Sequence, residues 1–335
     1  MAFVCKSLDR RLLLSGLAAV VASALGNVAI SHDAAAAWEP KKPVEFVIMA
    51  GKGGGADRLA RFIQGIIEKH NLSPKPFVPK NLGGGSGAEA LRYLKDKAGD
   101  PHVILATLNS YYTTPLRNPG LGVDIKDFTP IARMAEDTFQ LWVSTDSKIN
   151  SVDDYVKAVQ KAGPQDWKMG GTGKGQEDSL VTGMLEKKFK IKMTYVPFKG
   201  GGDVAKALIG AHVNSTVNNP SEQMGFWKAG KSRPLAQFTP ERMDSFPDVP
   251  TFKELGHDLV YYMQRSVVAP PDIPADAQAF YEGVFKKVDE SKEWNDYTSN
   301  EGLNKAFLTG KALTDYFVAE REKHRKLLVA SGELK

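Results

Sequence analysis

Short apolar runs of strand character alternate with longer runs of helical period along most of this chain. VEFVIM (44 to 49) precedes DRLARFIQGIIEK, FVP (77 to 79) precedes a glycine turn and AEALRYLKD, and HVILAT (102 to 107) precedes NSYYTTPL. The rhythm resumes with FQLWVS (139 to 144) and SVDDYVKAVQKAG, where Ser151 and Asp154 are placed for a capping box and Gly163 with Pro164 stops the helix. WKMGG, QEDSLVTGMLEKKF, MTYVPF, DVAKALIG, NSTV, PSEQMGFWKAG and RPLAQF follow in turn. Strand gives way to helix repeatedly, which predicts an α/β architecture of largely parallel sheets covered on both faces. The end of the chain differs. AQAFYEGVFKKV and GKALTDYFVAEREKHRKLLVA read as amphipathic helices with no strand between them, packed back on the first sheet.

The N-terminus changes the setting. Lys6, Arg10 and Arg11 precede the apolar stretch LLLSGLAAVVASALGNVAI, and four alanines (34 to 37) lead into Trp38. The stretch is nearly long enough to span a membrane. The small-residue cleavage pattern and the lack of a basic stop-transfer flank instead predict a signal peptide over 1–37, removed after Ala37, and hence export to the periplasm. The adjacent arginines resemble a twin-arginine signal, so that route and the general secretory route both stay open. About 300 residues remain, two domains of ordinary size.

The only cysteine, Cys5, lies ahead of the apolar run, so the exported chain has no disulfide or thiolate chemistry. The formal charge of +5 is spread without a long block of one sign, which argues against nucleic acid and lets an anion approach without repulsion.

Four glycine turns each follow a strand: GKGGGAD (51 to 57), NLGGGSGAE (81 to 89), GGTGKGQED (170 to 178) and FKGGGD (198 to 203). In a doubly wound sheet such turns meet beyond the carboxyl ends of the strands, at one crevice. Helix N-termini there offer unpaired N–H groups and about half a positive charge, and glycine lets the backbone approach an anion closely. Each turn alone also fits simple chain reversal, with Asp57 and Asp203 as capping residues and Lys52, Lys174 and Lys199 solvated.

GKGGGA meets the loose dinucleotide pattern, but no acidic residue ends the second strand, FVPKN, to take a ribose hydroxyl. Neither GKG triplet has the Ser or Thr and the spacing of a nucleotide P-loop. His70, His102, His212, His257 and His324 are scattered singly, as surface or capping histidines are, without metal-ligand spacing. There is no G-x-S-x-G elbow. The Asp and Glu residues fall mostly on predicted helix faces, where solvation or i,i+4 pairing is the default. No catalytic, metal or cofactor site is expected.

At these residues the chain resembles the periplasmic solute-binding proteins of tripartite tricarboxylate transporters, the Bug proteins, from about Trp38 to the C-terminus. The likeness rests on GGGAD with Ala60 and Arg61, on Asn81 before GGGSG and GAEA, and on GTGKGQ. It continues through VPFKGGG (196 to 202), KAGKSRPLA, Arg242 with PDVPT (247 to 251), Glu254 and Gly256, and VVAPP (267 to 271). Met49 stands where the family usually has proline, Ala56 where it often has Thr or Ser, and GDPHVILA lacks the usual Asp-Gly-Tyr-Thr.

The resemblance implies a two-lobed, type II-like periplasmic-binding-protein fold with a hinge and an interlobe cleft. Lobe 1 is expected over 38–140 plus 262–335 and lobe 2 over 141–261. A single-chain receptor is implied that closes on a small carboxylate, foremost a dicarboxylate. It would deliver that ligand to a tripartite-type membrane permease, or present it to a sensor kinase; an exported enzyme acting on carboxylic acids is the remaining alternative. One ligand end is expected on Gly53, Gly54, Gly55, Ala56 and Asp57, on Gly84, Gly85 and Ser86, and near Asn109 and Ser110. The other is expected on Thr172, Gly173 and Gln176 and on Lys199, Gly200, Gly201 and Gly202. Lys199 either binds or merely flanks its turn. Arg265 either pairs with a carboxylate bidentately or forms a structural ion pair. Tyr111, Tyr112 and Phe198 line the ligand's middle or belong to the core.

Overall fold

The computed structural model describes residues 1–2 and 38–334. The expected signal peptide lies almost wholly outside the described residues. From Trp38 onward the chain is one compact unit.

Two sheets organise it. The first contains β1 (Val44–Ile48), β2 (Phe77–Asn81), β3 (Val103–Thr107), β4 (Thr129–Thr138), β10 (Tyr262–Ala269) and β11 (Asn304–Leu308), in the order β11-β4-β10-β3-β1-β2. The second contains β5 (Gln140–Ser144), β6 (Lys168–Gly171), β7 (Thr194–Pro197), β8 (Ser215–Thr216) and β9 (Ser232–Gln237), in the order β7-β6-β8-β5-β9. The chain passes from the first sheet to the second at Phe139 and returns before Tyr262. We call the units built on them the first and second lobes.

Helices cover both sheets. In the first lobe these are α1 (Gly55–Lys69), α2 (Ala88–Lys95), α3 (Ser110–Arg117), α8 (Ala275–Glu290), α9 (Lys292–Glu301) and α10 (Gly310–Ala330). In the second they are α4 (Val152–Ala162), α5 (Glu177–Phe189), α6 (Gly201–Ile209) and α7 (Pro220–Lys228). Helix α1 shows why the sequence folds this way. Leu59, Ala60, Ile63, Ile66 and Ile67 fall on one stripe and are buried, which favours docking by about 1.5 to 3 kcal/mol for each large aliphatic side chain. Helix α4 begins as expected, with the Ser151 hydroxyl accepting from the Asp154 amide at 3.0 Å, but Asp154 reaches back to Asn150 rather than to Ser151. Gly163, at φ 82°, ends it.

Both sheets are mixed. β2-β1-β3 and β7-β6-β8 pair in parallel, whereas β3-β10-β4-β11 and β8-β5-β9 pair antiparallel. A strand joined to its neighbour by a crossover helix must run parallel to it. A strand that enters from the other lobe carries no such restraint, and β4, β5 and β10 stand where the chain changes lobe.

The expectation of no strand between the C-terminal helices is corrected by β11. NKAFL has only half-buried or exposed positions and a lysine, the character of a guarded edge strand rather than of a core one. Helices α8 and α10 do pack on the first sheet, against β4.

Candidate functional site

The glycine turns meet where the lobes face each other. A Cβ on Gly51 would come 3.1 Å from the Lys199 carbonyl oxygen, and one on Gly202 3.3 Å from that of Gly53. A Cβ on Gly54 would stand 3.9 Å from the Gly201 amide. The N-termini of α1 and α6 therefore abut, and side chains at Gly51 and Gly202 would crowd that approach. Between them lies a cavity of about 60 Å3, walled by both lobes. On that measure one water takes about 10 to 15 Å3, so the closed cleft holds a few waters or a small head group.

Half of the expected residues line it: Gly54, Gly55, Ala56, Thr172, Gln176, Lys199, Gly200, Gly201 and Arg265. Most of the others have other work. Asp57 is the third residue of α1, and its carboxylate accepts from the Gly53 amide at 2.9 Å, from Arg61 and from Asn81. These bonds hold its pKa below the usual value against the opposing effect of burial. Gly84 donates to Glu89 at 2.9 Å, and Gly84 and Gly85 open onto a separate surface groove beside Arg92 and Tyr93. Ser86, at φ 55°, touches the second lobe, where a Cβ on Gly173 would come 2.9 Å from its hydroxyl.

Asn109 is buried and fully engaged. Its amide nitrogen donates to the Tyr262 carbonyl and lies in bonding range of Tyr261 and His324, and its oxygen accepts from Tyr112 and from the Gln264 amide. His324 thus departs from the surface or capping role expected of it: burial pushes its pKa down to about 4, so it is neutral in this network. Tyr111 and Tyr112 are core side chains, and Phe198 packs on the Trp142 cluster.

Arg265 resolves as a structural pair within the first lobe. Its Nε donates to Asp137 Oδ2 at 3.1 Å and its Nη2 to the same oxygen, with both residues buried. Burial pushes Asp137 up to about 6, and the guanidinium keeps it from rising further. Arg265 still faces the cavity, because a Cβ on Gly55 would meet its Nη2 at 2.6 Å.

Three acidic residues that pattern reasoning assigned to helix faces are part of the wall: Glu177, Asp178 and Glu222. Glu177 and Asp178 form the first turn of α5 and are only 3% and 5% exposed. Asp178 accepts from the Thr172 amide at 2.8 Å within its own lobe. The other two cross the cleft. Glu177 accepts from the Ser110 amide of α3 at 2.8 Å, and Glu222 of α7 accepts from the Gly55 amide of α1 at 3.2 Å while Asn218 holds its other oxygen. Helix N-termini in the first lobe are thus already capped by carboxylates of the second. Burial, with repulsion from Glu222 and Glu177, pushes Asp178 up to about 8, and burial also raises Glu177. A signal was present in the sequence. Position i+4 is Val181 for Glu177, Thr182 for Asp178 and Phe226 for Glu222, so none has the basic partner that a solvated helix face would offer.

Among the described residues, no group of three His, Cys, Asp or Glu is placed to hold a metal, and no helix is long and apolar enough to cross a membrane.

The fold has many known counterparts. The Rhodopseudomonas palustris protein Rpa4515 with adipate superposes with a TM-score of 0.82 at 24% identity, covering 88% of this chain and 98% of that one. MatC from the same organism, with bound malate, gives 0.78 at 20% identity over 86% and 99%. These likenesses carry the fold. In sequence, the UPF0065 protein in the gbd 5' region of Cupriavidus necator is 26% identical over 315 residues, 94% of each chain. The family model TctC, described as the tripartite tricarboxylate transporter family receptor, matches residues 60–333. The chain belongs to this family of receptors, which are binding proteins and not enzymes.

Proposed function

We propose that this protein is a periplasmic solute receptor that closes its two lobes over a small organic acid and delivers it to a tripartite-type membrane permease. The observation that carries this reading is the cavity walled by glycine turns of both lobes, with the N-termini of α1 and α6 opposed across it. The receptor family supports the transporter partner, and relatives of the same fold hold adipate and malate.

In this reading the crossings near Phe139 and Tyr261 are the hinge, with lobe 1 comprising 38–140 and 262–335 and lobe 2 comprising 141–261. The ligand's carboxylate lies at the N-terminus of α6. There the Gly201 and Gly202 amides meet no acceptor among the described residues, and Lys199 stands alongside without an ion-pair partner among them. Hydrogen bonds to a charged group contribute about 1.5 to 3 kcal/mol each. Two or three offset desolvation and hinge closure well enough for binding near the micromolar range, about −8 kcal/mol.

The test is titration calorimetry with a panel of small carboxylic acids, paired with solution scattering. The reading expects saturable heat and a smaller radius of gyration with the same compound. Heat without compaction, or none across the panel, contradicts it.

A further inference from the structure

We propose that the ligand of this cleft carries a cationic nitrogen, an ammonium or guanidinium group, received by Glu177, Asp178 and Glu222. This rests on the receptor reading above and names the chemical class that the site takes.

The charge balance of the wall carries it. None of the three carboxylates has a Lys, Arg or His nitrogen within 4.0 Å among the described residues. The one buried cation at the wall, Arg265, is already matched by Asp137. The other, Lys199, is exposed. Glu177 and Asp178 are more than nine-tenths buried and line the cavity; Glu177 accepts from the Ser110 amide and Asp178 from the Thr172 amide, each at 2.8 Å, and neither meets a cationic side chain among the described residues. An ionised carboxylate taken out of water without a cationic partner is costly, and neighbouring carboxylates raise that cost. The upward shifts of Asp178 and Glu177, with burial as their largest cause, express that cost.

A ligand nitrogen would offset it with charge-assisted hydrogen bonds. A dianion has the opposite problem. Two of the first-lobe amides suited to its carboxylates, those of Gly55 and Ser110, already hold Glu222 and Glu177. It would have to displace one acid and lie beside another. The Gly201 and Gly202 amides at the α6 N-terminus remain for one negative end at most, with Glu222 alongside, so the ligand that fits is an amino acid with separated termini or a related amine.

Compounds that differ only in end charge test this. Succinate, γ-aminobutyrate and putrescine form one set of equal chain length, and adipate, ε-aminocaproate and hexamethylenediamine form a longer one. Titration calorimetry of the purified protein is expected to show an amine-bearing member bound about tenfold or more tighter than its matching dicarboxylate, a difference of about 1.4 kcal/mol. In Asp178→Asn and Glu177→Gln, which keep the shape and one acceptor oxygen, that preference should shrink to near unity or reverse while the circular dichroism stays native.

A dicarboxylate bound more tightly than its amines, or a preference untouched in both variants, overturns the proposal and leaves the receptor reading standing. Heat from none of the six overturns the proposal too. Heat that survives Gly201→Ala, whose methyl would fall on the Glu222 carboxylate and hold the cleft open, counts against the receptor reading instead.

Discussion

Acidic side chains sit beside glycine turns in both lobes, but they do opposite things. In the first lobe Asp57 and Glu89 fold back on their own turns, each binding an amide four or five residues before it in the chain. In the second lobe Glu177 and Glu222 leave their own helices and cap helices of the first, Glu177 on Ser110 and Glu222 on Gly55. The first arrangement shapes a loop. The second fastens one lobe to the other and lines the space between them with negative charge. The residue type beside a glycine turn therefore does not reveal its role; the location of its partner does.

Substitutions at and around these acids separate the two arrangements. The largest effect is expected from Gly201→Ala. The new methyl would fall on the Glu222 carboxylate, which cannot then remain between Gly55 and Asn218. The cleft should be held open, with a larger radius of gyration in solution scattering and no ligand-induced rise in melting temperature. Gly225→Ala, in α7 where nothing lies within 4 Å, should instead stabilise slightly, by about 0.5 to 1 kcal/mol.

Next is Asp178→Asn, read against pH. Asp178 has a folded pKa of about 8 against an ordinary value of 3.8. Below the ordinary value both folded and unfolded chains hold the proton. Between the two values the folded state alone holds it, so stability falls as pH rises through that window and then levels off. The asparagine variant lacks this loss. It should match the native protein in urea denaturation near pH 4 and exceed it by a few kcal/mol, on the order of 3, near pH 8.

Asp57→Ala should cost about 1 to 3 kcal/mol through its lost bonds to Gly53, Arg61 and Asn81, without altering ligand preference. Its sign with pH is the reverse of that of Asp178. The depressed pKa makes its contribution present above the ordinary value of 3.8 and lost as pH falls through the folded value. The smallest effect is expected from Glu89→Ala. The Gly84 amide is exposed and turns to water, so thermal denaturation should register less than about 1 kcal/mol.

The sequence made much of the architecture readable. The stripe of α1, the strands beside the glycine turns and the Ser151 cap all follow from local chemistry. The direction of β4, β5 and β10 did not, because it depends on where the chain changes lobe, and β11 was hidden by its edge character. At the site, backbone donors at Gly55, Thr172 and Gly201 were legible from glycine and helix position. Their acceptors were not. Glu222 meets Gly55 across 167 positions of chain, and only the missing basic partner at i+4 hinted that it is not solvated. For Arg265 the sequence left a ligand contact and a structural ion pair equally open, and the fold supplied Asp137 as its partner.

The most direct measurement is a crystal structure of the protein with whichever member of the two isosteric sets binds most tightly. That compound is expected between the lobes, its nitrogen within hydrogen-bond distance of Asp178 or Glu177 and any carboxylate at the Gly201 amide. A ligand outside the cleft, or one whose carboxylate lies against Asp178 while its nitrogen points to water, would contradict it.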